Sequence, residues 1–230
     1  MKQLIALTFG VFLIATASKA DDSFLESIPE VVDTSKQYLF YLHGAIVERG
    51  DLSPTHPKFG LYDMPAIRQA LVSEGTILIS DHRAQGTKPM AYAQDVAKDI
   101  ETLIAAGVPA QNITVSGFSK GGMITILTSS ILKNSQVNFV FMASCNRWSF
   151  DNDAIKVVGR ILSLYETSDT IGLSCAPLIA KSPDARDYKQ IPLNTGKQHG
   201  AFYTPIDAWV QPLKAWPKSV AAEAGVAPDD

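Results

Sequence analysis

The sequence contains little cysteine and histidine, the side chains that most often bind zinc. Its 230 residues include two cysteines and four histidines. The cysteines do not form a C-x-x-C pair, and no two histidines have the H-x-x-x-H spacing that places both on one face of a helix. We therefore predict neither a metal site nor a bound cofactor.

The sequence also lacks an excess of positive charge. Lys and Arg number 20 and Asp and Glu number 23, which gives a formal net charge of −3 at pH 7. The basic residues are scattered, and they form no stripe alternating with aromatic residues of the kind that a nucleic-acid surface requires. We therefore expect no nucleic-acid partner.

A long apolar run occurs at the N-terminus, where Lys2 precedes nearly continuous apolar residues from 4 to 17. The run is shorter than the roughly twenty residues that a membrane-spanning helix needs, and small residues follow it. We predict a signal peptide over 1–20, with cleavage after Ala20 favoured over cleavage after Ala17. The mature chain is then periplasmic or secreted and has no stable membrane insertion.

The mature chain, residues 21–230, is long enough for one α/β domain and contains no internal repeat. Export to an oxidising compartment would allow Cys145 and Cys175 to pair. Each follows a strand, and we expect these two strands to be neighbours in the sheet. We predict a Cys145–Cys175 disulfide, the alternative being two buried thiols. The oligomeric state is not predicted.

Apolar runs typical of strands alternate with helical periodicity along the whole chain. The predicted strands are 37–44, 76–80, 113–117, 137–143, 160–165 and 188–193, and the predicted helices are 64–73, 93–104, 120–133 and one beginning near Thr204-Pro205. This alternation predicts a mostly parallel central sheet covered by helices on both faces. Ligands are then expected at the carboxyl ends of the strands.

The stretch Ile113-Thr-Val-Ser-Gly-Phe-Ser-Lys-Gly-Gly-Met123 combines a buried strand, a sharp turn and a helix. Ser119 lies at the turn, with Gly117 and Gly121 on either side. A strand that turns into a helix within about three residues leaves no room for flanking side chains and strains its central residue. We therefore expect the Ser119 hydroxyl to project beyond the edge of the sheet, beside the N-terminus of the helix.

This G-x-S-x-G turn resembles the nucleophile elbow of the α/β-hydrolase superfamily, and the resemblance extends over roughly residues 37–216. The closest likeness is to small members without a cap domain, such as esterases and dienelactone hydrolases. Only 16 residues separate the predicted strands ending at Ala143 and beginning at Arg160, too few for the cap that many relatives insert there. The resemblance implies a serine hydrolase.

In this superfamily the order along the chain is serine, acid, histidine. His199 is the one histidine downstream of Ser119, so it is the candidate base. Glu166 and Asp169 both follow a predicted strand end, and we choose Asp169 as the candidate acid. The order His43, Asp81, Ser119 would suit a chymotrypsin-like triad, but the helical periodicity between these residues is incompatible with a double β-barrel.

The same resemblance assigns two backbone donors to the oxyanion hole. The Lys120 N–H follows the nucleophile, and the His43-Gly44 strand end would direct a second amide toward it. We choose Ala45 over Ile46 for that second donor. Glu48 and Arg83 are interpreted as solvated charges at the rim of the site, with contact to substrate as the alternative.

The predicted function is hydrolysis of a small-molecule carboxylic ester through an acyl-enzyme on Ser119. The predicted connection from Ala45 to Leu61 is polar and would make a poor apolar lid, so we expect an open cleft that favours small or exposed esters. The alternative is a non-catalytic binding protein with the same fold, since the fold itself does not determine chemistry.

Overall fold

In the computed structural model, which describes residues 24–218, a six-stranded parallel sheet organises the chain. The predicted signal peptide, residues 1–20, lies outside the described part. The strands of this sheet are β1 Gln37–Leu42, β4 Thr76–Ile79, β5 Ile113–Phe118, β6 Asn138–Met142, β7 Gly159–Glu166 and β8 Ala185–Leu193. The two remaining strands, β2 Thr55–His56 and β3 Gly60–Leu61, form a separate hairpin. The sheet order is β4-β1-β5-β6-β7-β8, and every neighbouring pair is parallel.

Within residues 24–218, six α-helices connect or flank these strands. They are α1 Met64–Leu71, α2 Pro89–Ala105, α3 Lys120–Leu132, α4 Arg147–Phe150, α5 Ala176–Ala180 and α6 Asp207–Ala215. Short 3-10 helices occupy Ala45–Arg49, Ala110–Asn112, Gln198–Phe202 and Trp216–Lys218. No helix among residues 24–218 combines the length and the apolar character needed to cross a bilayer.

The central strands are buried on both faces, as their continuous apolar sequences predict. Successive residues of β1 alternate between two cores: Tyr38, Phe40 and Leu42 belong to one, whereas Leu39 and Tyr41 belong to the other. This alternation follows from the two-residue period of a strand. The resulting fold is α/β, with a parallel sheet between helical layers, and it confirms the predicted fold class.

Two predictions about local structure were incomplete. The connection from Ala45 to Leu61, predicted as a loop, contains a 3-10 helix and the small β2-β3 hairpin, in which Thr55 pairs with Leu61. The last helix begins at Asp207, not near Thr204, because Ile206 still has extended backbone angles. Between β6 and β7 the chain forms only the four-residue helix α4, and this connection contains no cap domain.

Candidate functional site

Ser119 lies at the junction between β5 and α3 in a strained backbone conformation. Its φ of 54° and ψ of −114° are outside the regions that ordinary residues prefer. A Cβ on Gly117 would overlap the Gly121 carbonyl, and one on Gly121 would overlap the Leu42 carbonyl. Both positions therefore require glycine, as the sequence predicted. The Ser119 N–H donates to the Met142 carbonyl at 3.0 Å, which anchors the turn to the neighbouring strand.

The side chains of Ser119, His199 and Asp169 form a continuous hydrogen-bonded chain. Ser119 Oγ lies 2.9 Å from His199 Nε2, and His199 Nδ1 lies 2.6 Å from Asp169 Oδ2. Ser119 follows β5, Asp169 follows β7 and His199 follows β8, so the three residues are far apart in sequence. With a carboxylate at Nδ1, the imidazole carries its proton there and leaves Nε2 free to accept the hydroxyl proton.

The Asp169 carboxylate is held by the loop that follows β7. Oδ1 accepts a hydrogen bond from the Ile171 N–H at 2.9 Å, and Oδ2 accepts one from the Gly172 N–H at 3.2 Å. Asp169 is 6% exposed and His199 is 5% exposed, so bulk water does not compete strongly for their mutual bond. This carboxylate is therefore oriented before any ligand binds.

Glu166, the alternative acid, is occupied by other contacts. Its Oε2 accepts from the Thr195 N–H at 2.8 Å and from the Thr195 hydroxyl at 2.7 Å, and its Oε1 accepts from the Ser168 hydroxyl at 2.9 Å. Burial by itself would raise the pKa of Glu166, but these hydrogen bonds outweigh it and lower the pKa to about 2. Glu166 thus fastens the loop that carries Asp169 to the loop before His199.

His199 lies in the 3-10 helix Gln198–Phe202, against an aromatic wall. Its ring centroid is 4.7 Å from that of Phe118 and 5.8 Å from that of Phe59. Phe118 is the last residue of β5 and immediately precedes Ser119. These aromatic contacts restrict the orientation of the imidazole ring.

The two predicted oxyanion donors both lie in the first turn of a helix. Ala45 begins the 3-10 helix after β1, and Lys120 begins α3 after β5. The first N–H groups of a helix have no partner within the helix, so they can bind an anion. The two helices start side by side because β1 and β5 are paired, with Leu42 opposite Gly117.

His43 supports this turn but lies outside the Ser119–His199 chain. Its Nε2 accepts the Arg83 N–H at 2.9 Å, which assigns the ring proton to Nδ1, 2.8 Å from the Gly44 carbonyl oxygen. Burial, together with the positive charge of Arg83, lowers the pKa of His43 to about 3. A neutral imidazole therefore fixes the bend between β1 and Ala45.

The interpretation of Glu48 and Arg83 as solvated rim charges was wrong, since the side chains are 5% and 0% exposed. Glu48 Oε2 lies 2.6 Å from Lys120 Nζ, and Glu48 Oε1 lies 3.4 Å from Arg83 Nε. Arg83 also donates to the His43 carbonyl. The sequence predicted a role for the Lys120 backbone alone. The Lys120 side chain links the N-terminus of α3 to the 3-10 helix Ala45–Arg49 through Glu48.

Cys145 and Cys175 form a disulfide in which the Cα atoms are 5.2 Å apart. Cys145 follows β6, and Cys175 follows the loop that carries Asp169. The Leu173 N–H also donates to the Cys145 carbonyl at 2.7 Å. These links attach the Asp169 loop to the end of the neighbouring strand. Among residues 24–218, no cluster of His, Cys, Asp and Glu is arranged to bind a metal ion.

Comparison with solved structures supports the fold, whereas the two sequence comparisons found no match. No family model matches the sequence, and no curated protein matches it. Among solved structures, the crystal structure of Arabidopsis thaliana SOBER1 has a TM-score of 0.51 at 13% sequence identity, covering 80% of this chain and 98% of that chain. A single-substitution variant of SOBER1 gives a TM-score of 0.50 at 14% identity with the same coverage.

These structural similarities and the six-stranded parallel sheet show that the chain has the α/β-hydrolase fold. At 13–14% identity they carry no information about substrate. Any assignment of chemistry therefore depends on the residues of this chain.

Proposed function

We propose that this protein is a serine hydrolase that cleaves carboxylic esters through an acyl-enzyme on Ser119. The observation that carries the proposal is the chain of hydrogen bonds from Ser119 Oγ through His199 to Asp169, at 2.9 and 2.6 Å, at a strained strand-to-helix turn. A serine hydroxyl is a weak nucleophile, and such a chain is a means of activating it at neutral pH. Strain of this kind is often stored where function requires it.

In the acylation step, Ser119 Oγ attacks the carbonyl carbon of the ester while His199 Nε2 takes the hydroxyl proton. The carbonyl π electrons move to the oxygen, which becomes an oxyanion. The Ala45 and Lys120 N–H groups donate to that oxyanion, and each such donor is worth roughly 3 kcal/mol of transition-state stabilisation. Collapse of the tetrahedral intermediate breaks the bond to the alcohol oxygen, which takes the proton from His199.

In the deacylation step, water occupies the position that the alcohol has left. His199 Nε2 takes a proton from this water as its oxygen attacks the acyl carbon. The same two N–H groups stabilise the second tetrahedral intermediate, and the Ser119 oxygen leaves with the proton from His199. Asp169 stays ionised throughout and stabilises the imidazolium that forms twice in each cycle.

The proposed setting is the periplasm or the exterior of the cell, with residues 21–230 forming one domain after removal of the signal peptide. The Cys145–Cys175 disulfide supports this setting because disulfides persist in oxidising compartments. The proposed partner is a small-molecule ester. We propose no cofactor, no nucleic-acid partner and no stable membrane insertion for the mature chain.

Steady-state hydrolysis of p-nitrophenyl acetate by the wild type and by Ser119→Ala and His199→Ala tests the proposal. We expect each substitution to lower kcat by about four or more orders of magnitude while circular dichroism stays unchanged. Wild-type turnover in either variant would contradict the mechanism. No turnover of oxygen esters or thioesters by the wild type would instead favour a binding protein with the same fold.

A further inference from the structure

A pocket of about 350 Å³ opens directly beside Ser119, on the side of α3 and β6. Ser119 and Lys120 line it, together with the apolar side chains of Met123, Trp148 and Ile171. The volume is near the lower end of the range for small-molecule sites. Because the candidate nucleophile itself lines the pocket, a group bound there lies close to the carbon that Ser119 attacks.

The geometry of a tetrahedral intermediate determines which part of a substrate this pocket can hold. The oxyanion must face the Ala45 and Lys120 amides, and the leaving oxygen must face His199 Nε2 to receive its proton. His199 approaches Ser119 from the side of Phe118 and Phe59. The pocket on the α3 and β6 side is lined by none of His199, Phe118 and Phe59, so we assign the acyl substituent to it.

The wall of the pocket is held in place by its own local structure. Trp148 lies in α4, and its N–H donates at 3.2 Å to the side chain of Asn146, which caps that helix. Asn146 Nδ2 also donates to the Ile171 carbonyl at 3.3 Å. The disulfide between Cys145 and Cys175 joins the two segments that carry Trp148 and Ile171. A wall fixed in this way limits the size of the group that fits.

We propose that this pocket is the acyl subsite and that Trp148 is the residue that limits acyl length, so the substrates are esters of compact, mostly apolar carboxylic acids. This inference rests on the proposed function, because it assigns the parts of a substrate around Ser119.

The test is kcat/KM for p-nitrophenyl esters of two to twelve carbons in the wild type and in Trp148→Ala. We expect the wild type to peak at six carbons or fewer. In Trp148→Ala the peak should move to acyl chains at least two carbons longer. For the ester at the new peak, kcat/KM relative to that for acetate should rise by about tenfold or more. Ile171→Ala, which truncates a residue that is 45% exposed, should shift the profile in the same direction.

The matched control is Gln136→Ala, which alters a separate pocket of about 310 Å³ whose lining includes none of the residues around Ser119 and should leave the acyl profile unchanged. A second series, acetate esters of alcohols of increasing length, identifies the group in the Trp148 pocket. If Trp148→Ala changes selectivity among alcohols but not among acids, the leaving group occupies the pocket and the inference is wrong. The inference is also wrong if the wild type is active and neither Trp148→Ala nor Ile171→Ala shifts the acyl profile. A wild type that hydrolyses no ester overturns the proposed function itself.

Discussion

Glu48 Oε2 lies 2.6 Å from Lys120 Nζ, and this ion pair joins the 3-10 helix Ala45–Arg49 to the first residue of α3, the two elements whose first residues carry the proposed oxyanion donors. The Glu48 side chain is 5% exposed and that of Lys120 is 19% exposed. Removing one partner of a buried pair leaves the other charge uncompensated, and the segments can then move apart. Ala45 is three residues before Glu48 in the same 3-10 helix, so such a movement would displace a donor.

The first prediction is that Glu48→Gln lowers kcat by about 10- to 100-fold, with a change in KM of less than about threefold, because a small displacement of a transition-state donor is costly. Binding of a boronic acid transition-state analogue should weaken in parallel with kcat/KM. Both are to be measured well below the melting temperature, so that loss of folded protein does not contribute.

Asp95→Asn is the matched control for Glu48→Gln. It removes the exposed Asp95–Lys98 pair, whose side chains are 69% and 74% exposed, and it should affect neither activity nor stability. Unchanged kcat and inhibitor affinity in Glu48→Gln would show that the ion pair does not position the donors.

The second prediction distinguishes the two candidate acids. Asp169→Asn should lower kcat by about 10⁴-fold, because an amide at His199 Nδ1 favours the wrong tautomer. Glu166→Gln should cost much less in kcat and should act mainly on stability, since Glu166 binds Thr195 and Ser168. Parallel kinetics and thermal melts of the two variants check this. A larger loss of kcat in Glu166→Gln would identify Glu166 as the acid.

The third prediction concerns stability at acid pH. Burial and the nearby Arg83 lower the pKa of His43 from 6.5 to about 3 in the folded state, so between these values the unfolded chain binds a proton that the folded chain excludes. The contribution of His43 to the free energy of unfolding is therefore fully present above about pH 6.5 and is lost as the pH decreases toward 3. From pH 7 to pH 5 this group alone should lower the free energy of unfolding by about 2 kcal/mol.

The control for the third prediction is His43→Gln, whose amide does not titrate and can still accept the Arg83 N–H. Urea unfolding at pH 7 and pH 5 should show a loss in the wild type that exceeds the loss in His43→Gln. The interval from pH 7 to pH 5 lies above the pH range in which Glu166 makes stability depend on pH, because the pKa of Glu166 falls from 4.5 to about 2 on folding. Equal losses in the two proteins would contradict a neutral, buried His43.

The fourth prediction concerns the disulfide, which closes a loop with a sequence separation of 30. The double variant Cys145→Ala/Cys175→Ala should lose about 3 to 4 kcal/mol of unfolding free energy in the chain-entropy model. Reductant should destabilise the wild type and leave the double variant unaffected. Two titratable thiols in unfolded, unreduced protein from its native compartment would show that the bond does not form there.

The sequence was most informative where local pattern alone determines structure. Apolar periodicity predicted the strands and main helices, and the glycines around Ser119 predicted a turn that only glycine permits. Glu48 and Arg83 were misjudged because their burial depends on contacts between residues 35 and 72 positions apart. No local pattern reveals that a charged residue in a polar connection will meet its partners inside the protein.

Reaction with a fluorophosphonate probe, followed by intact-mass measurement and peptide mapping, tests the central claim most directly, because only an activated serine reacts readily with it. The account predicts one probe per chain, attached to Ser119, with labelling abolished in Ser119→Ala and slowed by orders of magnitude in His199→Ala. Absence of labelling in folded wild type, or labelling of another residue, would contradict the proposal that Ser119 is the nucleophile.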